Sequence, residues 1–267
     1  MERKNRYVIK VGSSSITNHE VGLNYAAINK LAAQISQLRK GGTEVALVCS
    51  GAVAAGRFLL GDIAEELEDK QVAAAFGQGE VTTAWKNAFR DHGILAAQFL
   101  LTGSDLEYPK DSLSGALKRG IPVINANDTV NDKEMKQYSL AADNDELSYY
   151  VTNVLDADRY ILLTDVQGVK DQNGNVISTI SSDAEIDRLS FGEKSKTGTG
   201  GMESKVRVAW RAAREGRLSW IASAHEEDVL LKIARDQQVG TRFFTQMGLY
   251  LVNNISSRYS DATAGKM

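Results

Sequence analysis

Tyr7-Val8-Ile9-Lys10-Val11-Gly12-Ser13-Ser14-Ser15-Ile16-Thr17 is the stretch on which the rest of the chain turns. Apolar residues on both sides of Lys10 predict a strand buried on both faces, as in a parallel sheet covered by helices. An ammonium at such a place is costly unless it emerges beside an anion. Gly12 lets a ligand approach the backbone, and the serines after it offer hydroxyls and main-chain N–H groups, a phosphate-shaped environment. On these residues alone an ordinary Gly/Ser turn with Lys10 snorkelling to solvent reads equally well.

Working outward, strand-like and helix-like stretches alternate. Ile28, Leu31, Ile35 and Leu38 fall at helical spacing, closed by Gly41-Gly42, and Glu44 to Ser50 is a short buried strand. It runs into Gly51-Ala-Val-Ala-Ala-Gly56, the start of a small-residue helix. A long helix is predicted from Glu65 to about Asp91, with Gly77 and Gly79 marking close backbone approach. A strand at Leu95 to Leu101, a short helix over 111–118 and a strand from Ile121 to Asn125 follow, Pro122 being tolerated at a strand's start or edge. Residues 126 to 145 are polar, and helical periodicity resumes over 146–155.

The second half repeats the pattern. Arg159 to Asp165 reads as a strand with an acid at its end, Gly168 to Asn175 as a turn or hairpin, and 193–201 as a Gly/Lys/Ser/Thr loop. A helix over 202–216, a strand over 218–222 and a helix over 226–234 follow, with final strands at 240–244 and 249–252. The alternation predicts an α/β fold, a largely parallel sheet with helices on both sides.

The composition is ordinary for a globular chain of 267 residues, with 43% hydrophobic and 24% charged residues. A net charge of −3 argues against nucleic acid or an anionic membrane as the main partner. The single cysteine, Cys49, excludes an internal disulfide and a Cys-based zinc site and reads as a buried thiol. Neither a secretory h-region nor a run of about 18 apolar residues is present, so a cytoplasmic location is expected. His19, His92 and His225 lack metal-ligand spacing, so no protein-held metal is expected.

In a parallel sheet, ligands lie beyond the C-terminal ends of the strands. The residues there form one set: Lys10 with Gly12 to Ser15, Ser50-Gly51, Asn125 to Asp128, Asp143-Asn144-Asp145, Thr164-Asp165, and Thr197 through Lys205. Neither G-x-x-x-x-G-K-[ST] nor G-x-G-x-x-G is present. Lys205 falls in the first turn of a helix, where an acid is the usual choice, a conflict that a bound polyphosphate would remove. A surface loop with a solvated lysine, and Asp143-Asn144-Asp145 as a simple helix cap, are the plainer readings of these segments taken singly.

Lys10-Val-Gly-Ser-Ser, Cys49 to Gly56, Lys70-Gln71 with Gly77-Gln78, Pro122 to Asp128, Asp143-Asn144-Asp145, Leu163-Thr164-Asp165 and Gly198 to Lys205 together resemble the glutamate-phosphorylating members of the amino acid kinase family. The resemblance spans nearly the whole chain, with the motifs in order. It implies a three-layer αβα sandwich in one domain, residues 1–267, whose N-terminal half (about 1–155) binds the amino acid and whose C-terminal half (about 156–257) binds the nucleotide. It implies ATP and Mg²⁺ as cofactors, and phosphorylation of the L-glutamate side-chain carboxylate as the first step toward proline. Lys10 and Lys205 would lie on the phosphates and Asp145 would hold both. Ser50, Gly51, Asp128 and Asn144 would bind glutamate, with Asn125 nearby. Gly12, Ser13, Thr164, Asp165, Thr199, Gly200, Gly201 and Met202 would join the lysines around the nucleotide.

Feedback by proline and a homo-oligomer, dimer or tetramer, are further implications. The chain departs from the family pattern in a short connection between Thr102 and Ile121, in Ala126 and Ala142 where Glu and Gly are usual, and after Gly168, where Tyr and Pro are usual. The C-terminal RNA-binding-like domain of many members is not expected here.

The chemistry fits these residues. A glutamate carboxylate, pKa about 4.3, is ionised at neutral pH and needs no base to attack phosphorus. Phosphoryl transfer instead needs two repelling anions aligned and their charge compensated. A hydroxyl acceptor would require a base, for which Asp128 or Asp145 would be the candidates. A non-catalytic member of the fold, sensing nucleotide or amino acid, is the other alternative; loss of a lysine or aspartate would mark it, and all three are present.

Overall fold

Alternation along the first strand, β1 (Arg6–Val11), assigns its side chains to two different cores. Tyr7, Ile9 and Val11 join one hydrophobic cluster and Val8 joins the other, so the strand is buried on both faces. Lys10 shares the parity of Val8. In this computed structural model, residues 5–18, 20–61, 66–102, 110–130, 144–189, 201–246 and 248–250 are described.

The main sheet has eight strands in the order β5-β6-β4-β1-β7-β9-β10-β8. These are β4 (Glu44–Cys49), β5 (Ala96–Leu101), β6 (Ile121–Ala126), β7 (Arg159–Thr164), β8 (Thr179–Ile180), β9 (Leu218–Ser223) and β10 (Thr241–Phe243). The pairs are parallel except β9 with β10. A two-stranded hairpin of β2 (Thr17–Asn18) and β3 (Gly22–Leu23) stands apart.

One cover layer contains α2 (Tyr25–Lys40), α4 (Leu67–Arg90) and α9 (Val229–Ala234). From these, Leu31, Ile35, Trp85, Phe89 and Leu230 enter the cluster that holds Ile9. The opposite layer contains α5 (Lys110–Arg119), α6 (Asn144–Val154) and α8 (Met202–Arg214), which contribute Leu113, Leu147, Val208 and Ala209 to the second cluster. Each fully buried aliphatic side chain of this kind contributes roughly 1.5–3 kcal/mol, so the two clusters hold the three layers together.

β1 lies between β4 and β7, parallel to both. The chain moves from β1 to β4 on one side and later returns to β7 on the other, so the C-terminal end of β1 is a topological switch point, where such sheets leave a crevice. A short helix, α1 (Ser13–Ile16), leaves that end. The helix α3 (Ala52–Leu60) leaves β4 through Gly51, whose φ of 109° is a left-handed conformation suited to glycine.

Helices α3 and α4 touch backbone to backbone: a Cβ on Gly77 would stand 1.9 Å from the carbonyl oxygen of Ala52, and one on Gly56 would stand 1.8 Å from that of Ala73. The expected close approach holds for Gly77 and not for Gly79, around which a Cβ would meet nothing within 4 Å.

Pro122 sits at the start of β6, which is an interior strand. Ile121 N–H donates to Leu95 O on the β5 side, so the next amide position faces β4, and pairing with β4 begins only at Val123.

Other expectations are corrected. The helix predicted from Glu226 starts at Val229, because Asp228 adopts φ 51° and interrupts it. Leu249 and Tyr250 lie in a helical turn, Leu249 N–H donating to Thr245 O, where a strand was expected; 251–252 are outside the described residues. Among the described residues no helix is long and apolar enough to cross a membrane.

Candidate active site

Lys10 belongs to the face of β1 covered by α6 and α8, and its ammonium meets Asp145, the second residue of α6. Lys10 Nζ is 2.6 Å from Oδ1, and Lys205 Nζ, from the first turn of α8, is 3.1 Å from Oδ2. Asp145 is wholly buried and Lys10 is 5% exposed. Burial alone would raise the Asp145 pKa; the charges of Lys10 and Lys205, and the hydrogen bonds they donate, reverse that and hold it below the ordinary value.

The Asp145 backbone is anchored too. Its carbonyl accepts from Ser148 Oγ at 2.7 Å and from the Tyr160 hydroxyl at 3.1 Å, and those two hydroxyls are 2.6 Å apart. Two ammonium groups on one carboxylate leave a surplus positive charge in a desolvated crevice, a place that favours an anion.

Around this cluster the strand ends supply the predicted groups. Gly12 N–H donates to Leu163 O, tying the first loop to β7. A Cβ on Gly12 would meet no protein atom closer than 3.5 Å, so packing alone does not demand glycine there. The same space lies 3.9 Å from the hydroxyls of Ser14 and Ser15, and Ser15 Oγ is buried with no hydrogen-bond partner among the described residues. Ser13 opens α1 beside them.

Ser50 N–H donates to Val11 O, so the end of β4 stays in register with the end of β1. Asp128, just past β6, is partly buried, and burial pushes its carboxyl up to about 6. Cys49 is buried at the end of β4; burial pushes its thiol up to about 12, the negative charge of Asp128 adds to this and Lys10 opposes it. Both charged groups therefore act on the end of β4.

Asn144 and Asn125 converge on one amide, that of Ala126, at 3.4 and 2.9 Å from their side-chain oxygens. Asn125 is 1% exposed and donates its amide to Gln78 Oε1 at 2.7 Å, so its side chain is committed internally and supports the site from behind. On the other side of β1, Thr164 ends β7 and its hydroxyl donates to Asp165 Oδ1. Gly201 precedes α8, which begins at Met202. Thr199, Gly200 and Asp143 lie outside the described residues.

Beyond Thr164-Asp165, a cavity of about 320 Å³ is lined by residues that include Gln167, Ser178, Ser223, Glu226 and Gln238. It sits at the C-terminal edge of β7 and β9, the edge to which the Lys10 strand points. Among the described residues no group of His, Cys, Asp and Glu could hold a metal ion.

An open, mostly parallel sheet with a cationic crevice at its switch point has the arrangement of an α/β protein that receives a phosphorylated ligand. The model of the amino acid kinase family matches residues 5–223, and the chain belongs to that family. Glutamate 5-kinase of Burkholderia cenocepacia is 39% identical over 257 residues, 90% of this chain and 68% of that protein. The glutamate 5-kinase of Nitrosospira multiformis is 38% identical over 262 residues, 92% of this chain and 69% of that protein. Among solved structures, carbamate kinase from Giardia lamblia bound to AMP-PNP shares the fold, with a TM-score of 0.65 at 15% identity, covering 92% of this chain and all of that one.

Sequence reasoning missed the groups behind the ionic cluster. Ser148, Tyr160, Glu146 and Arg211 read singly as helix and strand residues. The available signal was Glu146 directly after Asp145, with Arg207 and Arg211 four residues apart on the helix that carries Lys205.

Proposed function

We propose that the protein transfers the γ-phosphoryl group of ATP to the side-chain carboxylate of L-glutamate, forming L-glutamyl 5-phosphate and ADP. The observation that carries this reading is the pairing of Lys10 and Lys205 with the two oxygens of Asp145. The acceptor carboxylate is already ionised, so the catalytic task is to bring two anions together and to offset charge on the transferring oxygens. A carboxylate oxygen forms a bond to the γ-phosphorus as the bond to the β–γ bridging oxygen breaks, and ADP leaves with that electron pair. Lys10 and Lys205 would neutralise the oxygens between, and Asp145 would hold both ammonium groups in place.

Mg²⁺ would enter with the nucleotide on phosphate oxygens, since both oxygens of Asp145 already face ammonium groups. The N-terminal half, about 1–155, would bind the amino acid: Ser50, Gly51 and Asn144 would surround its carboxylates, and Asp128 would take its ammonium. The C-terminal half, about 156–257, would bind the nucleotide: Thr164, Asp165, Thr199, Gly200, Gly201 and Met202, joined by Gly12 and Ser13 from the end of β1, would surround the phosphates, and the cavity beyond Asp165 would receive the nucleoside. The carbamate kinase of the same fold, bound to AMP-PNP, and the glutamate 5-kinases that the chain resembles support nucleotide and glutamate as the substrates.

The reading places the protein in the cytoplasm at the entry to proline synthesis, as a homo-oligomer subject to competition by proline at the glutamate site. Purified protein with ATP, Mg²⁺ and a panel of acidic acceptors is the test. Hydroxylamine should trap an acyl phosphate as the hydroxamate with L-glutamate far above the other acceptors, and at high proline the apparent KM for glutamate should rise. Binding of nucleotide and glutamate without hydroxamate would favour a non-catalytic member of the fold.

A further inference from the structure

Helices α6 and α8 each supply one member of the ionic cluster, Asp145 and Lys205, and a second contact joins them directly behind it. Glu146 is 6% exposed. Its carboxylate accepts from Arg211 Nη1 at 2.8 and 3.1 Å and lies 3.3 Å from Arg207 Nη2. Arg207 and Arg211 are one helical turn apart, so one carboxylate grips two successive turns of α8. The Arg211 guanidinium also stacks over the Tyr149 ring, 4.1 Å from its centroid, and the Tyr149 hydroxyl donates to Glu215 at the end of α8. A single face of α6 therefore holds α8 from its second turn to its C-terminus.

Lys205 lies two residues before Arg207 and six before Arg211 on the same helix, and Gly201 caps that helix without a side-chain hydrogen bond. What aims Lys205 at Asp145 is consequently the docking of α8 on α6. We propose that Glu146, through Arg211 and Arg207, is a positioning residue: it fixes the register of α8 against α6 and thereby places Lys205 for the reaction. It touches neither substrate. The inference rests on the phosphoryl-transfer reading above and adds to it a residue outside the reacting groups.

The test compares Glu146→Gln, Arg211→Gln and the double variant with the unaltered protein. Glu146→Gln keeps the shape and removes the charge, and Arg211 is exposed enough for its variant to fold. Hydroxamate formation should show kcat lowered by roughly ten- to a hundredfold, the scale on which ångström misplacement acts, with the KM for glutamate within about twofold. The double variant should be no slower than the slower single one, because Glu146→Gln already releases the contact that Arg211→Gln removes. Arg211→Lys should recover part of the rate.

Hydrogen exchange supplies an independent readout: amides from Lys205 to Ala209 should exchange about tenfold faster in Glu146→Gln while strands β1 and β4 keep their protection. An unchanged kcat, a KM for glutamate rising in step with the fall in kcat, or unchanged exchange in α8 would overturn the proposal. If the unaltered protein made no hydroxamate, the phosphoryl-transfer reading would fail, and exchange in α8 would decide the docking role by itself.

Discussion

The Lys10 ammonium stands 2.6 Å from Asp145 Oδ1, and the two side chains are 7% and 0% exposed. A pair so enclosed is costly to break, and here Lys205 adds a second positive charge on the same carboxylate. Asp145→Asn should therefore leave two close ammonium groups without the carboxylate that both face. Breaking a buried pair in this way costs about 3–5 kcal/mol, so chemical denaturation should show a loss of that size. Hydroxamate formation should fall by about a hundredfold or more in the variant protein that remains folded.

The same carboxylate sets an acid limb. Its folded pKa is below that of the unfolded chain, so its stabilisation is complete above about pH 4 and is lost as pH falls through the depressed folded value. Stability measured from pH 6 down to pH 2 should fall more steeply for the unaltered protein than for Asp145→Asn, and the two curves should converge at the acid end.

Asp128 behaves in the opposite sense. Burial raises its folded pKa to about 6, so the folded state holds the proton more tightly than the unfolded chain and the group destabilises the fold as pH rises through that value. Asp128→Asn should be the more stable protein above pH 6, on the order of 1 kcal/mol, with the difference vanishing below about pH 4. If the glutamate ammonium pairs with this carboxylate, the KM for glutamate should climb as pH drops below about 6 in the unaltered protein and stay flat in the variant. A KM that ignores pH in both would remove Asp128 from the substrate site.

Two glycines on α4 separate steric need from mere tolerance. Gly77→Ala would drive a methyl group into the Ala52 carbonyl at 1.9 Å, separating α3 from α4 and disturbing the Ser50-Gly51 corner from which α3 departs. It should cost several kcal/mol, on the order of an overpacked core, and weaken glutamate binding. Gly79→Ala meets open space and should stabilise the helix by roughly 0.5–1 kcal/mol. Thermal melts of the two variants should move in opposite directions.

What the sequence disclosed follows from where its physics is local. The two-faced burial of β1 is written in an apolar run interrupted only by Lys10, and the strand ends announce themselves by switching to Gly, Ser, Thr and Asp, as at Gly12, Ser50 and Asp165. Lys10 stood out because a charge is costly in such a run. Gly79 was misread because a helical glycine signals close approach only if another backbone lies opposite, and sequence does not say which face of α4 meets α3.

The contacts that tie α6 to α8 were not legible for a related reason. Glu146 and Arg211 lie 65 residues apart, and their meeting is decided by helix docking, not by local pattern. Asn125 illustrates the same limit from inside the strand: its motif was visible, and its commitment to Gln78, 47 residues away, was not.

The most direct measurement of the central claim is single-turnover hydroxamate formation by Lys10→Ala and Lys205→Ala, each first verified to retain its fold and to bind glutamate. If ammonium groups from the two halves of the chain act on one transferring phosphoryl group, each variant should lose about a thousandfold or more, and the double variant little beyond either single one. Near-normal turnover in either single variant would contradict it.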